Sequence, residues 1–284
     1  MLSSPLKLTD LKQRAITALF FSGIVVSSIM ANQWTFLVLM ALLLILGILE
    51  FYKLISIGGS APQKVMGLLI GISLCAITYF ISVGILAVES LTLLLPLSFF
   101  VFIFELYRKQ EKPFLNIAST MVGVIYLAIP VSMMIFMAFM PSGQSGITYH
   151  GGLLMGCILH IWANDTGAYF VGSRFGKNRL FERISPKKSW EGFFGGLALS
   201  IVAAWLNHRL FAELELNEWM AVAVLMSVFG TLGDLVESML KRSINIKDSG
   251  TLFPGHGGIL DRFDALLVGI PFVCCYLWLI GHFG

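Results

Sequence analysis

The feature that most constrains this chain is a succession of apolar runs, each close to the roughly 20 residues an α-helix needs to cross about 30 Å of hydrocarbon. Nine stand out, at about 15-32, 34-52, 65-83, 86-104, 115-140, 151-172, 192-207, 218-238 and 264-282, separated by short charged connectors. Hydrocarbon offers no partners to backbone N–H and C=O groups, so each run must close its own hydrogen bonds as a helix. No alternating ten-residue pattern of the kind that builds a membrane barrel is present. The sequence therefore predicts an all-α fold: a polytopic integral membrane protein with about nine transmembrane helices. Composition agrees, since 57% hydrophobic and 12% charged residues lie far from the values of soluble domains.

Orientation follows from where the basic residues fall. With the N-terminus in the cytosol the connectors alternate between the two sides, and every Lys and Arg of the 19 except Arg209 then faces the cytosol. A single missed helix would have inverted all later connectors, so the bias supports the span count as well as the placement. The C-terminus then faces outward. Because the first run is followed almost at once by a second beginning at Trp34, it reads as an uncleaved helix rather than a signal peptide. Basic cytosolic connectors suit lipid headgroups and nucleotide phosphates, whereas a net charge of +3 spread in this way argues against nucleic-acid binding. Cys75, Cys157, Cys274 and Cys275 lie in apolar runs without ligand spacing and read as small packing residues.

One membrane domain, 1-284, accounts for the chain. Residues 1-140 read mainly as scaffold helices, with acids such as Glu50, Glu89 and Glu105 only near span ends. In 151-284 acids, glycines and dense charge enter the membrane segments, and this half is expected to carry the chemistry. The sixth run holds Asn164-Asp165 about two turns before its charged exit, and a carboxylate there is costly unless paired, hydrated or bound to a cation. His160 in the same run reads as a packing or interhelical hydrogen-bonding residue. Next, SPKKSWEG (185-192) sets Lys187 and Lys188 beside Ser189 and Trp190 at the membrane surface, where lysines meet phosphates or simply fix topology. In GTLGDLVESMLKR, Asp234, Glu237 and Lys241 at i, i+3 and i+7 share one helical face. Like charges so placed need a cation or Lys241 to offset them. Beyond, Pro254, Gly255, Gly257 and Gly258 form a bend suited to phosphate, and Asp261, Arg262 and Asp264 open the last run, where Asp261 is expected to meet Asp234 from another helix.

Ser238, Lys241-Arg242, Lys247-Asp248, His256-Gly257-Gly258, Asp261-Arg262 and Asp264 together resemble the signature of the phosphatidate cytidylyltransferase (CDP-diacylglycerol synthase) family. SPKKSWEG and the Asn164-Asp165 region also look like family motifs, whereas the N-terminal half matches only in hydrophobic character. The resemblance implies an enzyme that transfers CMP from CTP to phosphatidic acid, forming CDP-diacylglycerol and pyrophosphate. It implies Mg2+, with a monovalent cation such as K+ as a second candidate, and it admits a homodimer. Asp234 and Asp261, with Glu237, become the metal ligands; Asp234, Asp261, Lys241 and Arg262 become the catalytic group. Asn164, Asp165, Lys187, Lys188, Ser189, Arg242, Lys247, Asp248, His256, Gly257 and Gly258 are left to bind substrate. Ser189 stands where relatives commonly have threonine, so the hydroxyl is kept. The expected location is a bacterial inner membrane, with the site facing the cytosol.

Two other classes share part of this pattern. A CTP-dependent lipid (polyprenol) kinase would also need metal and basic connectors, but it releases CDP rather than pyrophosphate. An ion-coupled transporter would also carry intramembrane acids, though here they gather toward one face and no internal repeat is evident.

Overall fold

The computed structural model describes residues 8–139, 149–247, 249–250 and 257–282. Among them are α1 (Leu8–Ala31), α2 (Gln33–Ile57), α3 (Lys64–Ser82), α4 (Leu94–Arg108), α5 (Pro113–Gly123) and α6 (Ile129–Ala138). The second half contributes α7 (Gly151–Phe175), strands β1 (Arg179–Phe181) and β2 (Ser185–Ser189), α8 (Trp190–Leu210), α9 (Leu216–Ser243) and α10 (Leu260–Leu279). A short 3₁₀ turn, Val88–Leu93, leads into α4, and a π-helical turn, Val124–Ala128, joins α5 to α6 in one continuous helical stretch. Pro130 stands just beyond that wide turn, with Ile129 between, and has no N–H to return to it.

Each of the nine apolar runs coincides with one helical stretch. Six of these are long and apolar enough to cross a membrane: Gln33–Ile57, Lys64–Ser82, Val88–Arg108, Pro113–Ala138, Leu216–Ser243 and Leu260–Leu279. The protein is a polytopic, mostly helical membrane protein. The expectation of a purely α fold is corrected by the β1–β2 hairpin, which pairs Arg179 with Ser189 and Phe181 with Ser185 in antiparallel fashion, with an irregular register between them. The SPKK segment is extended because it lies outside the apolar runs and contains Pro186, a residue that fits an edge strand.

Large apolar side chains of α2, α6, α9 and α10, among them Phe36, Ile48, Met134, Trp219 and Ile270, fill the centre of the bundle. Several polar groups inside it are hydrogen-bonded to one another. Tyr52 lies in a notch between Gly67 and Gly123, where any side chain would collide with its ring or hydroxyl, and donates to the Thr120 carbonyl at 2.7 Å. Glu105, 5% exposed, accepts from Gln63 Nε2 (2.6 Å), Asn116 Nδ2 (2.8 Å) and Arg108 (2.8 Å), and so ties α3, α4 and α5 together. His160 binds Ser200 through Nδ1 and accepts from Asn207 through Nε2, locking α7 to α8 as an interhelical link. Asn116 is the key to the Glu105 cluster, since its Oδ1 also accepts from Ala61 N at 2.7 Å. Asn116→Ala should cost about 1–3 kcal/mol, read as a lowered unfolding midpoint in detergent; an unchanged midpoint would show that the cluster adds nothing to stability.

Candidate active site

α7, α8, α9 and α10 pack closely, and glycines allow it. A Cβ on Gly167 of α7 would stand 2.5 Å from the Gly195 carbonyl of α8, and one on Gly196 of α8 would stand 2.6 Å from Asn164 Oδ1. Gly233 of α9 meets the Asp264 carbonyl of α10 in the same way, at 2.5 Å. These contacts bring polar residues of three helices to one end of the bundle, beside the hairpin.

There Asp234, Glu237 and Asp264 present carboxylate oxygens within 4.8 Å of one another. Asp234 pairs with Lys188 of β2 at 2.5 Å and accepts from Ser238 at 3.2 Å. Glu237, 1% exposed, pairs with Lys241 one turn on, while its Oε1 carries no hydrogen bond. Lys241 also reaches Asp261 Oδ1 at 2.5 Å. Asp261 Oδ2 accepts from Ser249 N (2.9 Å), Ser249 Oγ (2.8 Å) and Gly258 N (2.8 Å). Asp261 thus sits against Lys241 and the backbone, and Asp264 is the α10 acid that joins Asp234 and Glu237.

Two cavities meet beside this cluster. One, of about 240 Å³, runs between α1, α7, α9 and α10; it is bounded by Asp165, Lys188, Asp234, Arg262 and Asp264 and by an apolar wall that includes Phe21, Val25 and Phe263. The other, of about 530 Å³, lies between α7, the hairpin and the start of α8, with Arg179, Lys187, Lys188 and Tyr169 among its lining. Asn164, Asp165, Lys188 and Thr231 border both. On the side of the smaller cavity, its lining together with the Glu237–Lys241 pair sets the five carboxylates of Asp165, Asp234, Glu237, Asp261 and Asp264 against the three cations of Lys188, Lys241 and Arg262, a formal excess of two negative charges. That excess, together with the unbonded buried oxygen of Glu237, fits a divalent cation of the hard, oxygen-preferring kind.

Other residues singled out by sequence occupy varied positions. Ser189 is buried beside the larger cavity and caps α8, accepting from Gly192 N at 3.1 Å. Asn164 Nδ2 points to Thr231 Oγ1 at 3.5 Å. Arg242 donates to the Ile246 carbonyl beyond the end of α9, and Lys247 is exposed nearby. Gly257 has φ +80°, a conformation suited to glycine, and a Cβ there or on Gly258 would strike Asp261 or Glu50, respectively. Asp248 and His256 lie outside the described residues.

Comparison with known proteins decides the family. A family model described as the cytidylyltransferase family matches residues 12–280. The chain belongs to the cytidylyltransferase family. A phosphatidate cytidylyltransferase of Bacillus subtilis (strain 168) is 33% identical over 94% of this chain and 97% of its own length. One of Staphylococcus aureus (strain COL) is 36% identical over 83% of this chain and 88% of its own. One of Staphylococcus epidermidis (strain ATCC 12228) is 40% identical, but the match spans 63% of this chain and 65% of that relative.

Membership of the cytidylyltransferase family does not by itself point to several residues that the structure brings to the site. Thr231 lies three residues before Asp234, so its place on the α9 face was available from helical spacing. The α1 wall and Glu50 of α2 carried no such local signal. Because the whole junction depends on the α7–α8 approach, Gly167→Val should lower the unfolding midpoint in detergent by several degrees. Gly23→Val, at a position with nothing within 4 Å, serves as the control; equal midpoints would remove the packing argument.

Proposed function

We propose that this chain is a phosphatidate cytidylyltransferase that transfers CMP from CTP to phosphatidic acid at the junction of the two cavities. The observation that carries the reading is the carboxylate–lysine cluster at a place where a basic cavity and a partly apolar one share a wall. The basic cavity, with Arg179, Lys187 and Lys188, suits the triphosphate of CTP, and the cavity walled by Phe21, Val25 and Phe263 suits phosphatidic acid. Family membership and the Bacillus subtilis relative support the same activity.

A phosphatidate oxygen attacks the α-phosphorus of CTP, the bond to the β-phosphate oxygen breaks, and pyrophosphate leaves from the opposite side. The attacking phosphate is already an anion, so no general base is needed; the difficulty is bringing two polyanions together. Lys188 borders both cavities and can meet phosphates of both substrates, while Arg262 faces the smaller one. Asp234 holds Lys188 in place. Lys241 pairs with both Glu237 and Asp261 and so holds the two side chains in place. Asp234, Glu237 and Asp264 would hold Mg2+, which when bound would offset charge on the leaving pyrophosphate. Asp261, expected from the family resemblance to be a ligand, orients Lys241 in this scheme.

The same reading places the N-terminus and the site in the cytosol, with all nine helical stretches crossing a bacterial inner membrane, as the basic residues of the connectors support. Water-soluble CTP and membrane-held phosphatidic acid then meet at the interface.

Purified protein given labelled CTP, phosphatidic acid and Mg2+ should yield CMP-labelled lipid and stoichiometric pyrophosphate. CDP with a phosphorylated alcohol acceptor would favour the lipid kinase, and ion flux without turnover the transporter. Asp234→Asn should lower kcat/KM by about 10²–10³-fold with the fold intact. Asp264→Asn should weaken Mg2+ binding measured by calorimetry without substrates, whereas wild-type binding would remove Asp264 from the ligand set.

A further inference from the structure

The cluster at the α9–α10 junction is held from outside by a residue of the first half of the chain. Glu50, half-buried near the end of α2, accepts from Ile259 N at 2.9 Å, from Leu260 N at 3.1 Å and from the Ser249 hydroxyl. Its carboxylate therefore closes the N-terminus of α10, where unpaired N–H groups and the helix dipole favour an anion. The backbone wraps tightly around it: a Cβ on Gly250 would lie 2.9 Å from Glu50 Oε2, and one on Gly258 would overlap the carboxylate.

The same segments make the seat of Asp261. Ser249 donates to Asp261 Oδ2 through both its backbone N–H and its hydroxyl, and Gly258 donates through its N–H. The Ser249 hydroxyl stands within hydrogen-bond reach of both carboxylates and gives its one proton to one of them at a time, so it couples their positions. Glu50 thus fixes both stretches of backbone that aim Asp261 at Lys241, and Lys241 in turn holds Glu237.

We propose that Glu50 is a positioning residue for nucleotidyl transfer, acting through Ser249 and the start of α10 to hold Asp261 and Lys241 in register with the cluster. Glu50 touches neither substrate cavity's lining; it acts only through these neighbours. The inference rests on the cytidylyltransferase reading, and its consequence is a loss of turnover rather than of substrate affinity. Displacements of about 1 Å in such a constellation cost on the order of 10²-fold in rate.

The test measures kcat, KM for CTP and unfolding midpoint for wild type, Glu50→Gln, Glu50→Asp, Ser249→Ala and the Glu50→Gln/Ser249→Ala double variant. Turnover by wild type establishes the underlying reading separately; its absence would sink that reading before the variants are compared. The proposal expects kcat of Glu50→Gln to fall about 30–100-fold, with KM for CTP within about threefold, partial recovery in Glu50→Asp, and a double variant no slower than the slower single one. Wild-type kcat in folded Glu50→Gln, losses that multiply in the double variant, or a fall confined to stability would overturn it. If Glu50→Gln does not fold, Glu50→Asp and Ser249→Ala decide: full turnover in both rejects the proposal, and a shared kcat defect with unchanged KM upholds it.

Discussion

A single ammonium group, that of Lys241, stands between a carboxylate of its own helix and one of the next, and the acidic end of the bundle is arranged around that sharing. Glu237 is almost wholly buried, and a buried carboxylate without a counter-charge is strongly unfavourable. Lys241 reaches it from one turn away and reaches Asp261 across the α9–α10 contact. The pairing with Asp261 requires α9 and α10 to touch, which Gly233 allows by leaving room for the Asp264 carbonyl. The approach that makes that ion pair also brings Asp264 to Asp234 and Glu237. Structural pairing and the gathering of surplus negative charge are consequences of one close contact.

The hairpin completes the arrangement from another direction. Lys188 comes from β2 rather than from a helix that carries the acids, and it pairs with Asp234 across the α9–hairpin contact. Ser189, next along, ends the strand and begins α8, so the cation and the start of the helix are set by adjacent residues. Lys188 then stands where the two cavities join.

Much of this was legible in the sequence, for physical reasons that differ from residue to residue. The helical stretches were plain because hydrocarbon admits no other backbone, and the common face of Asp234, Glu237 and Lys241 followed from 3.6-residue periodicity. Which α10 acid joins Asp234 and Glu237 was not legible. Asp261 and Asp264 are three residues apart and lie on nearly the same face, and both meet α9, Asp261 at Lys241 and Asp264 beside Asp234 and Glu237. The hairpin was missed because its pairing is between polar, short segments with no alternation to betray a strand. Glu50 was read as an acid near a span end, since nothing local announces hydrogen bonds to residues about two hundred positions away.

The account's central claim is one direct transfer between substrates held in adjoining cavities, with no enzyme-bound CMP. The most direct measurement is the stereochemical course at the α-phosphorus, using a single diastereomer of CTP carrying sulfur on that phosphorus and assigning the configuration of the lipid product. Inversion is the predicted result, because one in-line displacement reverses the centre once. Retention would mean two displacements through a covalent intermediate and would contradict the account.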